Sequence, residues 1–468
     1  MDNTAKKLQL KTEVGLIGGV SLVAGVMVGS GIFISPQIVL LNIGSPGASL
    51  VTWAGCGLLS MLASLSYAEL GTVICESGGE YIYTLRTSGN FMAFLYAFTS
   101  VLFVRPTSLS GSALSFALYA VAPFYEDCEP PALVVKSVAA CGIVFLAILN
   151  CLNVRSSMAV TTILMAVKFL ALAVISINGV ILLIQGGTGN LQNAFEGTSY
   201  SISGTGMAFY QCLWAYDGWS TLNSITEELK SPEVNLPRAL LIAIPMVTIL
   251  YLLVNVSYLA AMTPREMMVS SAVAVTWGNK VLGSWGWVMS IAAALSSFGS
   301  LNGSFFSGGR VCFVAAREGH MPNILAMAHV RRLTPSPALI FTTIISLIVL
   351  IPGDFQGIVN FFSFTAWFFY GVTIAGLLYL KIKFPDLPRA YTVPIIIPIL
   401  VLLASVFLVL APIVDNPQLE YLYVTLFILS GALIYIPLIH FKLCPHLLDK
   451  LTVFLQLILE VAPAEKNV

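Results

Sequence analysis

Charge is scarce in this chain. Only 9% of its 468 residues are Asp, Glu, Lys or Arg, and 57% are hydrophobic, whereas a soluble domain carries about 25% charged residues. A soluble fold is excluded, because its surface must face water and one core cannot hide so much apolar area. The formal net charge is zero, so the basic face that nucleic-acid binding needs is missing and no nucleic-acid partner is expected. Histidine is rare: His320, His329, His440 and His446 are the full set, and none is spaced with cysteines as a metal ligand. Neither a Gly-x-Ser-x-Gly elbow nor a phosphate-binding loop occurs. The sequence therefore predicts no enzyme, no metal and no cofactor. The rings of charge or carbonyl filters of a channel are absent as well. No cleavable leader is expected, since Met1 to Lys11 is polar and the apolar stretch Val14 to Leu41 is too long for a signal core.

What the chain has instead is long apolar runs. They recur at about 20 residues, each long enough to cross about 30 Å of hydrocarbon. Only helices and closed barrels satisfy their backbone in lipid. The runs are continuous rather than alternating, which selects helices. Spans are expected at 14–41, 47–72, 90–120, 132–150, 157–184, 205–227, 239–262, 286–315, 337–352, 355–380, 393–413 and 420–440. With a cytoplasmic start, Lys6, Lys7, Lys11, Arg86, Arg155, Lys230, Arg317, Lys381, Arg389 and Lys466 fall inside, and Lys136, Arg265 and Lys280 fall outside. That asymmetry supports the orientation and puts both termini in the cytoplasm. Leu447 to Val461 carries apolar residues at helical spacing among Asp449, Lys450, Gln456 and Glu460, the pattern of a helix lying on the inner membrane surface.

Charge inside a span costs about 2.5–3.5 kcal/mol on insertion scales, so it marks structure or function. Glu69 and Arg105 lie near span ends, where helix pairing or snorkelling accounts for them. Lys168 and Asp217 lie deep and are the stronger functional candidates. The second signal is helix interruption: Gly29-Ser30-Gly31 falls within the first span, and Asp217-Gly218 follows Trp214-Ala215-Tyr216 in the sixth. Glycine there permits close packing of small residues or an unwound backbone. Two such interruptions, in corresponding halves, favour the second reading. Helix N-termini so exposed attract a carboxylate, and freed carbonyls attract an ammonium.

At this point the motifs become specific. Gly29-Ser30-Gly31-Ile32-Phe33, Ser66-Tyr67-Ala68-Glu69-Leu70-Gly71, Ser77-Gly78-Gly79-Glu80-Tyr81, Trp214-Ala215-Tyr216-Asp217-Gly218-Trp219, Arg317-Glu318-Gly319-His320-Met321 and Arg331-Arg332-Leu333-Thr334-Pro335 together resemble the light subunits of heteromeric amino-acid transporters. Within that family the b0,+ type looks nearest, through Trp214 to Trp219 and Ser405 to Tyr423. The resemblance covers essentially the whole chain. It implies an all-α polytopic membrane protein of about twelve transmembrane helices, a five-plus-five inverted repeat (the LeuT-like fold of the APC superfamily) with discontinuous helices one and six. It implies a cytoplasmic segment 1–13, a ten-helix core 14–380 built of repeats 14–184 and 205–380, two further helices over 393–440, and a cytoplasmic tail 441–468. The function implied is sodium-independent exchange of L-amino acids across the plasma membrane, neutral and dibasic with cystine as a further candidate.

Residue by residue, the resemblance gives Gly29, Ser30 and Gly31 the α-carboxylate and the carbonyls near Trp214 and Ala215 the α-amine. Trp214 matches an aromatic gate. Lys168 matches a lysine standing where other members of the fold hold sodium, its expected partners being unwound carbonyls of the first span. Asp217 matches an acidic residue of the b0,+ type and would favour dibasic side chains. Of the eight cysteines, Cys128 is the one in a clear extracellular loop, where a lone thiol suggests an intermolecular bridge. In the family that position is linked to a single-span glycoprotein heavy subunit. The sequons at Asn255 and Asn302 lie within spans and should carry no glycan.

The chain also departs from the pattern. Val26 stands where the family usually has Thr, which removes a hydroxyl at the pocket edge. Ser108-Leu109-Ser110-Gly111-Ser112-Ala113 is smaller than the b0,+ norm, which keeps an aromatic-preferring transporter open as an alternative. Ala462-Pro463-Ala464-Glu465 replaces a Val-Pro-Pro-Glu run that family members use for maturation. Proton-coupled symport through Asp217 or Glu69 is the main rival in mechanism.

Overall fold

A computed structural model describes residues 14–414 and 417–463. Lys6, Lys7, Lys11 and the rest of segment 1–13, and Ala464, Glu465 and Lys466, lie outside the described residues. The fold is helical apart from one short strand pair. In chain order it runs α1 (Leu16–Met27), α2 (Gly31–Ile43), α3 (Pro46–Val73), α4 (Glu80–Ser88), α5 (Asn90–Thr99), α6 (Arg105–Val121), α7 (Ala132–Leu152), α8 (Val154–Ile184), α9 (Ile202–Ala215), α10 (Thr221–Ser224), α11 (Pro232–Ala261), α12 (Pro264–Val269), α13 (Val273–Val281), α14 (Trp287–Arg317), β1 (Met327–His329), α15 (Ser336–Leu350), α16 (Phe355–Lys383), α17 (Ile396–Val414), α18 (Leu419–Tyr435), α19 (Pro445–Leu459) and β2 (Val461–Pro463). Among the described residues, eight helical stretches are long and apolar enough to cross a membrane, and α1 with α2, bent by 49° at their junction, makes a ninth. The remaining expected spans are occupied by the interrupted α9–α10 segment, by α14 with its many small residues, and by the shorter α15.

Both expected interruptions are real breaks. The first falls where Val28 turns extended after α1 and Ser30 caps α2. The second falls after Ala215, where Gly218 adopts φ +110°. Only glycine sits easily there, and a Cβ on Gly218 would also stand 2.5 Å from Val26 Cγ1. The half-helices α2 and α9 close on each other: a Cβ on Gly31 would meet Ala215 Cα at 2.5 Å. Tyr119 on α6 donates to the Phe33 carbonyl, and Ser290 on α14 donates to the Tyr119 carbonyl. These bonds tie α2 to α6 and α6 to α14.

A polar knot joins α7, α8 and α14. Asn302 Nδ2 donates to Ser157 O and Thr161 Oγ1, and its Oδ1 accepts from Asn150 and Ser157. The side chain has no free polar atom, as a buried amide requires, and neither Asn302 nor Asn255 is exposed. At the other end of the chain α19 has no buried residue and leaves Leu447, Leu451, Phe454 and Leu457 exposed. Beyond it β2 pairs antiparallel with β1, Ala462 opposite Ala328.

Candidate functional site at two helix breaks

Gly31 opens α2; the Phe33 amide donates to the Ser30 carbonyl at 3.2 Å, and the first turn forms the positive end of the helix dipole. Ser30 makes no side-chain cap; its hydroxyl instead accepts from Trp214 Nε1 at 3.1 Å. Gly29 is held by packing: a Cβ there would lie 2.6 Å from Ser300 Oγ, and its carbonyl accepts from Ser296 at 3.3 Å. Gly29, Ser30, Gly31, Trp214 and Ala215 are therefore brought together, with Val26 and Asp217 beside them across Gly218.

Tyr251 on α11 bridges the two breaks. Its hydroxyl lies 2.7 Å from Met27 O and 2.7 Å from Ala215 O, and its single proton serves one of them at a time. Trp214 O already accepts from the Asp217 amide at 3.2 Å. The Ala215 carbonyl thus keeps a lone pair for an amine, whereas Trp214 O is also approached by the Tyr216 amide. A tyrosine in an apolar span reads as core, so the sequence holds no signal for Tyr251.

Lys168 is buried, and its ammonium donates to Gly25 O at 2.9 Å, in the last turn of α1. Gly299 on α14 makes room for it, since a Cβ there would stand 3.1 Å from Lys168 Cε. Trp214 lies edge-on to Phe362 and Phe355, with centroids 5.1 and 6.2 Å away. Gly111 is where the small face of α6 meets the site: a Cβ there would lie 3.0 Å from the Trp214 ring. The space left by the small residues is filled by the indole.

Asp217 accepts from the Tyr370 hydroxyl at 3.3 Å, and Tyr370 packs on Trp219, which packs on Tyr67. Arg105 feels both Asp217 and Glu80 electrostatically, so one cation and two carboxylates share this neighbourhood. Glu69 belongs elsewhere. It is fully buried and holds Lys381 at 2.9 Å, Arg389 at 3.1 Å and the Val393 amide at 3.2 Å. Snorkelling is ruled out for it, and helix pairing accounts for it. Cys128 is a free, exposed thiol on the rim of a hollow of about 250 Å³ that Glu126, Asn279 and Trp287 also line.

Apolar spans, two of them severed at mid-length and facing each other, define a membrane transporter of the broken-helix kind. The chain belongs to the amino acid permease family, whose model matches residues 14–437. It is 47% identical to the b(0,+)-type amino acid transporter 1 of Homo sapiens over 464 residues, 99% of this chain and 95% of that one. It is 41% identical to the cystine/glutamate transporter of Homo sapiens, over 98% of this chain and 92% of that one. It is 42% identical to the large neutral amino acids transporter small subunit 2 of Mus musculus, over 87% and 77% respectively. These relatives are transporters rather than enzymes, and the chain is an amino acid transporter of the membrane.

Proposed function

We propose that this chain is a sodium-independent exchanger of L-amino acids, neutral and dibasic with cystine among the candidates. It works by alternating access in the plasma membrane with both termini cytoplasmic. The observation that carries the reading is Lys168: its amino group, 2.9 Å from the Gly25 carbonyl, ties α8 to the end of α1 with a group covalently held by the chain. A bound cation in that role would come and go with the sodium gradient. Gly29, Ser30 and Gly31 take the substrate carboxylate on the amides opening α2, the carbonyls of Trp214 and Ala215 take the amine, Val26 edges the pocket, and Trp214 is the gate. Asp217 faces the substrate side chain. Asp217 shares its neighbourhood with Arg105 and Glu80 and is the carboxylate that would pair with a basic side chain.

The architecture that goes with this reading is twelve spans: a core of two inverted repeats, 14–184 and 205–380, two helices over 393–440, and a tail from 441. The partner is a single-span glycoprotein heavy subunit joined at Cys128. One observation favours an aromatic-preferring transporter as second reading: the Trp214 ring stands against Gly111, beside Ile358, so a gate that moves would leave ring-sized volume there.

The test is uptake of labelled arginine, cystine, leucine and tyrosine into proteoliposomes, with and without internal amino acid and with and without sodium. Uptake stimulated from the far side and indifferent to sodium is expected. Uptake that needs sodium, or ignores the preload, defeats the exchanger reading. A steep response to an inward proton gradient would establish symport in its place.

A further inference from the structure

The inner halves of the two broken spans are stitched into one body. At its cytoplasmic end the Val14 amide donates to Glu228 O at 3.1 Å and the Lys230 amide donates to Val14 O at 2.8 Å, a short parallel bridge centred on Leu229. At its other end Gly218 touches Val26. Each half is severed from its own outer helix at Val28–Ser30 or after Ala215. A body joined at both ends and cut from its continuations can tilt as a unit.

From this body a charged contact crosses to α14. Arg310 Nη1 lies 2.8 Å from Glu228 Oε1, with side chains 31% and 19% exposed, and the guanidinium sits 4.5 Å above the Phe306 ring. The exposure is the informative part. Glu69 with Lys381 and Arg389 is a sealed knot, with side chains 0%, 9% and 9% exposed, and breaking it would strand charges away from water. The Arg310–Glu228 pair is reached by water and weak, so it can break and reform. It stands on the face of α14 that carries Gly303, seven residues or about two turns nearer the membrane centre, where a Cβ would meet open space.

We propose that Arg310 and Glu228 are positioning residues of the transport cycle, their ion pair latching the joined inner half-helices to α14 and holding the cytoplasmic exit shut. The latch rests on the alternating-access reading above. With the pair made, the joined inner half-helices are tied to α14 at 2.8 Å. Opening inward breaks the pair, the body tilts, and the Gly303 face becomes the wall of the exit.

The experiment uses the full chain in inside-out vesicles, with Gly303→Cys as reporter and Cys75→Ser and Cys444→Ser to lower the background. Labelling by a membrane-impermeant maleimide from the cytoplasmic side reads how often the exit opens. Glu228→Gln and Arg310→Gln should each raise the labelling rate about threefold or more, the scale of losing one weak pair. The double variant should match either single, because both break the same contact. Unchanged labelling in the singles overturns the latch, and so does a double effect equal to the product of two independent ones. Exchange measured on the same preparation separates the two claims. Altered labelling beside absent exchange in the parent defeats the exchanger reading and leaves the latch; unaltered labelling beside normal exchange defeats the latch alone.

Discussion

Glu69, Arg105, Lys168 and Asp217 were legible as candidates because charge is rare among the spans. Their partners were not legible. Glu69 meets Lys381 and Arg389 across more than three hundred residues of chain, and no local pattern announces such a pairing. Arg310 escaped notice for a related reason: it sits inside a span read as apolar and finds Glu228 on the irregular segment after α10. The role given to Asp217 has a direct test. Asp217→Asn keeps an oxygen for the Tyr370 hydroxyl, now 3.3 Å from Oδ1, so the pocket should stay assembled while its charge is lost. Arginine uptake should then fall about tenfold, the equivalent of about 1.4 kcal/mol, with leucine uptake within about twofold of the parent. Kinetics of the two substrates in one preparation decide it; equal losses would make Asp217 a structural residue.

At the scale of elements, long periodic helices were readable and short irregular ones were not. Apolar runs placed α3, α7, α11 and α16, and the glycine motifs located both breaks. The single turn of α10, the π-helical Ser100–Val104 between α5 and α6, and the β1–β2 pair have no sequence signature, since tertiary contacts rather than periodicity hold such pieces. The second break allows a sharp prediction. Gly218→Ala sets a Cβ on a residue at φ +110°, 2.5 Å from Val26 Cγ1. Two penalties act together, the left-handed backbone and the clash. Exchange should drop at least tenfold at equal surface expression, a loss of about 1.4 kcal/mol or more. Adding Val26→Ala removes the clash and leaves the strain, so it should restore part of the activity and not all. Full activity in Gly218→Ala alone would show that the two inner halves need no such close approach.

At the scale of the whole molecule the proposal of a heavy subunit joined at Cys128 is weighed against the surroundings of the other cysteines. Cys56, Cys212 and Cys312 are buried and Cys151 is half-buried, so none can reach another chain. Cys75 follows α3 and Cys444 precedes α19, both on the side assigned to the reducing cytoplasm, where a lasting disulfide is disfavoured. Cys141 is exposed but lies within α7, on a face that lipid would cover. Cys128 alone combines exposure with a loop on the side opposite the tail, and the hollow at its rim, walled by Glu126, Asn279 and Trp287, offers a neighbouring chain a place to seat. Cys128→Ser should therefore abolish the disulfide-linked species on non-reducing gels of cells that make the heavy subunit, while Cys141→Ser leaves it intact. Because Cys128 is remote in sequence and chemistry from both helix breaks, exchange by the purified Cys128→Ser chain in proteoliposomes should stay within about twofold of the parent, under about 0.5 kcal/mol. A linked band that survives Cys128→Ser would mean that another thiol faces the exterior, and the orientation drawn from the lysines and arginines would have to be reversed.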